Sequence, residues 1–443
     1  MSYLPNIIFA MLLIVGVGFF TRNVKKLMRN INLGKNIDRS DHVSLRWKNL
    51  IFIALGQSKM VTRPIAGILH VIVYLGFIII NIEVLEIIID GLFGTHRIFS
   101  IAGGMYDFLI GAFEILAFLV LISVIIFWIR RMILRIPRFW NKEMTSWPKN
   151  DALNILYFEM VLMCLFLLMN AADYSLQKLH VGHYAQVGSF PISQYISNVL
   201  PQNVGTLIII AQAAWWSHII GIFIFLNYLY YSKHLHILLA FPNTYYANLN
   251  VLGKFDNLSS VTREVKLMLD PNADPYATTG ESDVDEIPEK FGANDIADLS
   301  WVQLMNAYTC TECGRCTSVC PASLTGKELS PRAIMMKTRD RIEEVGKFID
   351  KNSLEEYKEK GDGKSLLTTI SNEEIWACTS CNACVTECPI NIDPLSIIMD
   401  LRRYLVMEES SAPQELNMMM TNIENNGAPW QYNQMDRLNW KDE

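Results

Sequence analysis

The chain has 443 residues, of which 51% are apolar and 19% are charged, against about a quarter charged in an average soluble protein. The charge is divided unevenly, because residues 1–240 carry a net +8 and residues 241–443 a net −14. This composition excludes a disordered chain, a nucleic-acid-binding protein and a small secreted domain framed by disulfides. It predicts two halves of different kinds, one in a membrane and one in water.

Five apolar stretches in the first half reach or approach the length that crosses about 30 Å of hydrocarbon. They cover residues 4–20, 65–90, 105–129, 152–172 and 204–231. The connecting segments 21–63 and 130–151 hold 16 Lys and Arg, whereas the segments 91–104 and 173–203 hold two. By the positive-inside rule, this asymmetry predicts a multi-pass protein of the cytoplasmic (inner) membrane with its N-terminus outside and its second half in the cytoplasm.

Histidines in or near these stretches are candidate haem b ligands, since a buried neutral imidazole is a common axial ligand. His70 lies near the start of the second stretch and His218 in the middle of the fifth. In one continuous helix His218 and His236 would share a face about 27 Å apart, which suits two stacked haems, while His234 would point away. His70 could pair with His218 or with His236, and Met60 is a weaker alternative partner for His236. A hydrogen bond to a neighbouring helix is the other role open to such a histidine.

Carboxylates also fall within or near the apolar stretches. They are Glu83, Glu86, Asp107, Glu114 and Glu159. Ionisable groups inside a membrane are costly and by default indicate function, although a place in the headgroup region is the alternative. If they act, Glu83, Glu86 and Glu114 would form a proton path.

Two cysteine runs in the second half share the form C-x2-C-x2-C-x3-C-P. The first contains Cys310, Cys313, Cys316 and Cys320, and the second Cys378, Cys381, Cys384 and Cys388. Bacterial two-cluster ferredoxins have this spacing, and in them the fourth cysteine of each run ligates the other cluster. We therefore expect two 4Fe-4S clusters, the first on Cys310, Cys313, Cys316 and Cys388, the second on Cys378, Cys381, Cys384 and Cys320. Zinc also binds four thiolates, but its sites usually pair two C-x2-C units and require neither the fourth cysteine nor the proline.

The predicted fold class is all-α, with a five-span transmembrane helical bundle followed by a cytoplasmic, helical, ferredoxin-like domain for two 4Fe-4S clusters. The expected divisions are a membrane domain at 1–240, a linker or irregular arm at 241–300, the dicluster domain at 301–410 and a polar tail at 411–443. Helices are expected at about 331–348, 353–360 and 373–377, and again after Pro394.

Part of the first half resembles the cytochrome b (gamma) subunit of respiratory nitrate reductase. The resemblance is carried by Arg63-Pro64 through His70, Gly76-Phe77, Trp216-Ser217-His218 and Lys233-His234-Leu235-His236. It implies five spans with two b haems between the second and fifth helices. His218 and His236 match the fifth-helix ligands and His70 one second-helix ligand, whereas Met60 stands near the position of the other.

The cysteine segments, Cys310 to Lys327 and Trp376 to Arg403, resemble heterodisulfide-reductase-like iron–sulfur proteins. The fusion of both parts is similar to membrane-bound electron-transfer-flavoprotein:menaquinone oxidoreductases. This resemblance implies an electron-transfer subunit that connects a cytoplasmic flavoprotein to menaquinone through two clusters and one or two b haems. Related fused proteins continue into cysteine-rich CCG modules, and this sequence has no adjacent cysteine pair. The resemblance therefore implies that such a module is a separate iron–sulfur subunit.

Two other functions stay open at this point. In the first, quinol feeds a heterodisulfide- or sulfite-reductase-like complex through the same cofactors. In the second, the membrane half is a proton-translocating redox module that uses the carboxylates. A cofactor-free scaffold is disfavoured by the eight cysteines in cluster spacing.

Overall fold

The computed structural model describes residues 3–182, 184, 186–271 and 290–442. Within these ranges the chain is helical and contains no strand, which confirms the all-α prediction. The middle of the expected arm, 272–289, lies outside the described residues.

The described part of the first half contains eight α-helices. They are α1 (Leu4–Ile31), α2 (Val43–Asn49), α3 (Pro64–Phe93), α4 (Gly104–Met132), α5 (Trp147–Lys178), α6 (Ser193–Ile196), α7 (Val204–Tyr228) and α8 (His236–Tyr245). Five of them, α1, α3, α4, α5 and α7, are long and apolar enough to cross a membrane, α7 together with a 3-10 turn that ends at Tyr231. The five predicted spans are therefore confirmed, and the chain is a multi-pass membrane protein.

Most spans are longer than the apolar stretches because polar turns extend the helices at their ends. For example, α1 continues to Ile31 through the basic segment that follows residue 20. α3 begins at Pro64, a residue that lacks the N–H that a first turn leaves unpaired. α3 ends at Phe93, and the next residue, Gly94, has a φ of +72°, the left-handed conformation that glycine adopts at helix ends. In the bundle, α5 packs on α4 and α7, while α1 packs on α3 and α7.

The second half contains ten α-helices in the described ranges. They are α9 (Ser259–Leu269), α10 (Trp301–Thr309), α11 (Arg315–Ser318), α12 (Pro321–Leu324), α13 (Pro331–Lys351), α14 (Leu354–Lys360), α15 (Asn372–Trp376), α16 (Ala383–Glu387), α17 (Pro394–Met407) and α18 (Gln414–Asn426). α10, α13 and α17 surround a core that includes the fully buried Leu304, Ile334 and Leu401. Ile296 and Leu299, which the sequence assigns to the arm, are also fully buried in this core.

The two halves pack directly against each other. At the end of α1, Asn30 donates to the Tyr308 hydroxyl at 3.0 Å, and both side chains are buried. The Lys35 backbone then pairs with Leu299 and Trp301 at 2.7 and 3.0 Å. The basic segments 21–63 and 130–151 both contact the second half, so it lies on the positively charged side of the bundle.

Candidate metal centres and the route between them

The two cysteine loops have the same local conformation. In the first, Glu312 and Gly314 have φ of +55° and +72°, and in the second Ser380 and Asn382 have φ of +55° and +60°. Each left-handed residue lies immediately before or after the second cysteine of its run. Left-handed turns of this kind aim successive backbone N–H groups into one concavity, as in many iron–sulfur sites.

The thiols come together in two groups. A charge on Cys313 would act on both Cys310 and Cys388. Charges on these three cysteines would in turn act on Cys316. Cys310, Cys313, Cys316 and Cys388 also line one cavity, which Cys384 borders.

The second group forms around Cys320. Cys320 interacts electrostatically with Cys378 and Cys384, and Cys381 interacts electrostatically with Cys378. The fourth cysteine of each run thus lies beside the first three of the other run. This grouping supports the crossed ligand sets, which stay a prediction.

The chemistry of these thiols fits iron–sulfur ligation. All of them are free, and burial raises the pKa of Cys310 to about 12 and that of Cys388 to about 11. Buried thiols of this kind hold their protons until a metal replaces them, so loading a cluster would release protons. The Ile392 N–H donates to Cys388 Sγ at 3.2 Å and the Ser380 N–H to Cys378 Sγ at 3.4 Å, and such bonds tune cluster potentials. No three His, Cys, Asp or Glu side chains of the described residues converge tightly enough for one metal ion.

Three of the four candidate histidines lie together on the side of the bundle that faces the cysteines. The ring centres of His70 and His236 are 6.3 Å apart, and those of His234 and His236 are 5.4 Å apart. A metal between two imidazoles separates the ring centres by about 6 Å, from two bonds of about 2 Å and about 1 Å within each ring. The His70–His236 separation therefore suits an axial pair.

The tautomer and charge of His236 also fit a ligand. Its Nδ1 lies 3.1 Å from the Lys233 carbonyl oxygen, so a proton on Nδ1 leaves Nε2 available for a metal. Burial lowers the pKa of His236 and also that of His234, so both rings are neutral near pH 7. His234 Nε2 lies 3.6 Å from Glu159 Oε1, which is a near contact too long for a hydrogen bond.

His218 lies apart from this group, ten residues before the end of α7, about 15 Å along the helix axis. It is 2% exposed and its ring packs against Phe166 at 6.0 Å. The expected continuous helix through His218 and His236 is wrong, because α7 ends at Tyr228 and Ser232 is extended. The Ser232 side chain accepts from the His234 N–H at 3.1 Å and starts a new turn. A serine just before Lys-His-Leu-His was the available signal, since serine is a preferred helix N-cap.

Comparisons with known proteins find similarity to iron–sulfur and quinone oxidoreductases. The family described as 4Fe-4S dicluster domain matches residues 309–392. The probable iron-sulfur-binding oxidoreductase FadF of Bacillus subtilis is 30% identical over 99% of this chain and 61% of FadF. The EtfAB:quinone oxidoreductase of Syntrophomonas wolfei is 25% identical over 92% of this chain and 55% of that protein.

A third relative matches a smaller part. The dihydromethanophenazine:CoB–CoM heterodisulfide reductase of Methanosarcina mazei has one subunit that is 28% identical over 34% of this chain and 37% of its own length. No solved structure matches. The chain is similar to FadF-like iron–sulfur oxidoreductases. It spans 61% of FadF and 55% of the EtfAB:quinone oxidoreductase. The family resemblance and the 4Fe-4S domain expected from its sequence are confirmed.

Sequence reasoning missed the residues that join the first thiol group of this FadF-like chain to the membrane half. Arg315, between Cys313 and Cys316, is 3% exposed and donates to the Lys59 and Met60 carbonyl oxygens at 2.9 and 3.1 Å. The Met60 sulfur lies 3.2 Å from the same guanidinium.

Lys59 itself donates to the Cys388 carbonyl oxygen at 3.1 Å. Met60 therefore lies against the first cysteine loop, and the segment before α3 contacts both cysteine runs. His70 follows on α3, and the charge of Arg315 acts on it, so His70 lies on the side of α3 near the first cysteine loop.

A buried ion cluster closes the other side of the first cysteine loop. Glu312, 2% exposed, pairs with Lys233 and, at 2.8 Å, with Arg339. Burial opposes ionisation of Glu312, but the two cations outweigh it and lower its pKa. The loop that carries Cys310 and Cys313 is thereby fixed to the segment that carries His234 and His236.

Proposed function

We propose that this chain carries electrons between a cytoplasmic redox partner and menaquinone in the inner membrane, through two 4Fe-4S clusters and haem b. The observation that carries the proposal is that both cysteine loops bind the chain segments next to the histidines. Arg315 and Lys59 join the cysteine loops to the segment that leads into His70. Clusters and haem pass single electrons, and the protein contributes their spacing and their electrostatic surroundings.

We assign the four cysteines around Cys313 to the cluster nearest the membrane, and those around Cys320 to the cluster nearest the partner. Cys381 is exposed, whereas Cys310 is buried. Electrons would therefore enter or leave the protein at the second group. The N-terminus would lie outside and the dicluster domain, 301–410, in the cytoplasm, because the basic segments of the bundle face that domain.

For haem b, His70 and His236 form the pair that the distances favour. His218 would be the ligand of a second haem. In this proposal no nearby histidine supplies the other ligand of that haem. The geometry thus supports one haem with two histidine ligands and a second with one.

The experiment is pyridine-haemochrome quantitation with a reduced-minus-oxidised spectrum on the purified chain and on His70→Ala, His236→Ala and His218→Ala. We expect a b-type spectrum whose haem content falls in His70→Ala and His236→Ala. The exposed His42 supplies the control, His42→Ala, which should keep its haem. Loss in His218→Ala with full retention in His236→Ala would favour the His70–His218 pairing instead. Absence of haem in the unmodified chain would refute this part of the proposal.

The partner is proposed from the relatives. One is named an EtfAB:quinone oxidoreductase, so a reduced electron-transfer flavoprotein, alone or through a CCG-type subunit, is the favoured donor. The likeness to part of a heterodisulfide reductase supports the reverse direction, from quinol to a disulfide reductase. Anaerobic mixing with reduced flavoprotein and, separately, with a menaquinol analogue distinguishes them, because only the physiological reductant should reduce the clusters rapidly.

A further inference from the structure

A buried polar cluster lies at the end of the bundle away from the dicluster domain. Its centre is Arg97, 7% exposed, in the turn between α3 and α4. The guanidinium donates to Asp173 at 2.5 Å, Asn170 at 2.8 Å and the Tyr106 hydroxyl at 3.1 Å. Tyr106 in turn donates to Glu86 at 3.0 Å. We call these five residues the Arg97 cluster.

Two further glutamates border the Arg97 cluster, and each has one carboxylate oxygen without a hydrogen-bond partner. Glu83 lies one turn before Glu86 on α3 and is 3% exposed, and its Oε2 has no hydrogen-bond partner. Glu114 is fully buried, and its Oε2 accepts from the Ile192 and Ser193 N–H groups at 3.0 Å each. Its Oε1 has no partner. Arg97, Glu86, Glu114 and Asp173 all act electrostatically on Glu83.

The titratable and charged groups near Glu83 lie on α3, α4, α5 and the turn between α3 and α4. They are Glu86 and Asp90 of α3, His96 and Arg97 of the turn, Tyr106 and Glu114 of α4, and Asp173 of α5. Arg97 is paired with Asp173, and no other Lys or Arg among the described residues forms an ion pair with Glu83, Glu86 or Glu114. Each unpaired buried charge costs several kcal/mol. A carboxyl group with a bare oxygen, such as Glu83, can therefore stay ionised only while positive charge lies near it, and it binds a proton when an added electron cancels that charge.

The cluster is also connected with the interior of the bundle. Ser193, which binds Glu114 through its N–H, donates its hydroxyl to the Leu167 carbonyl oxygen at 3.0 Å. The preceding residue, Phe166, packs on His218. A path of packed residues thus runs from His218 through Phe166, Leu167 and Ser193 to Glu114.

We propose that Glu83 is a redox-linked protonation site. When a redox group inside the bundle gains one electron from the clusters, the Glu83 site takes up one proton from the aqueous phase at this end of the bundle, and it releases that proton when the electron leaves. Electroneutrality in a low-dielectric interior is the driving force. The inference rests on the proposed function, because it needs an electron acceptor within the membrane half.

The test is redox-difference infrared spectroscopy of the purified chain, recorded together with its visible spectrum. We expect a carboxylic-acid carbonyl band that changes on reduction and shifts in D2O. Glu83→Gln should abolish that band. The control is Asp107→Asn, which removes an exposed carboxylate at the same end of the bundle and should leave the band intact.

The outcomes separate the two proposals. A visible spectrum that responds to reduction without any carboxylic-acid band, or with a band that survives in Glu83→Gln, overturns the protonation site and leaves the electron-transfer function standing. A visible spectrum without any b-type response refutes haem b in the bundle. If Glu83→Gln does not fold, the unmodified chain still decides, because a band insensitive to D2O would refute an exchangeable proton.

Discussion

Replacing Glu312 by glutamine should loosen the first cysteine loop selectively. The substitution keeps the size of the side chain but removes the negative charge that pairs with Lys233 and Arg339. Breaking a buried ion pair by removing one partner costs about 3–5 kcal/mol. Glu312 is 2% exposed and Lys233 is 9% exposed, so the full penalty should apply.

This penalty acts on local opening of the loop rather than on the whole chain. At about 1.4 kcal/mol per tenfold change, the open population should rise by roughly a hundredfold to a few thousandfold. The assay is the rate of cluster loss under an iron chelator in the purified chain, followed by visible bleaching and by EPR of the remaining clusters. The cluster bound by the Cys310 loop should be lost first.

The matched control is Glu344→Gln. Glu344 also pairs with a cation, Arg341 at 3.1 Å, but its side chain is 43% exposed, and exposed pairs contribute about 0–1 kcal/mol. Its cluster-loss rate should stay within about fivefold of the unmodified chain by the same conversion. Equal rates in the two variants would refute the argument that the buried ion cluster holds the loop in place.

Two further predictions concern the dicluster domain. Cys388→Ser should remove the EPR signal of the cluster nearest the membrane and spare the other, and Cys320→Ser should do the reverse; the opposite pattern would contradict crossed ligation. Asp362 accepts from Arg341 at 2.6 Å, and this hydrogen bond lowers the Asp362 pKa from 3.8. Its stabilising effect is complete above that pH and is lost as pH falls through the folded-state pKa. In circular-dichroism unfolding, Asp362→Asn should therefore lose less stability on acidification than the unmodified chain, and parallel pH curves would contradict this.

The sequence predicts the spans and the cysteine loops well because both depend on short-range rules. A span needs a continuous apolar run, and a cluster loop needs three thiols within seven residues followed by a bend. The positions of the histidines depend on more. Whether His218 and His236 share a face is decided by a single break at Ser232, and apolar periodicity on either side does not reveal it.

The polar contacts between distant segments are harder to predict. Arg97 and Asp173 are 76 residues apart, and Lys233 and Glu312 are 79 apart. In the sequence each is an ordinary charged residue near the end of a span or a motif. Only the packing of helices shows that the first pair is buried at one end of the bundle and the second at the other.

The junction at the end of α1 determines how the halves can move. Asn30 fits against Gly346 so closely that a Cβ on that glycine would lie 2.5 Å from the Asn30 amide nitrogen. The helix that crosses the membrane thus ends inside the core of the dicluster domain, with little play at this contact. The two halves are therefore held in a fixed arrangement, and electron transfer between them needs no movement of one half relative to the other. Its internal electron-transfer rate should be set by distance and potential, and should not change when glycerol makes the solvent more viscous.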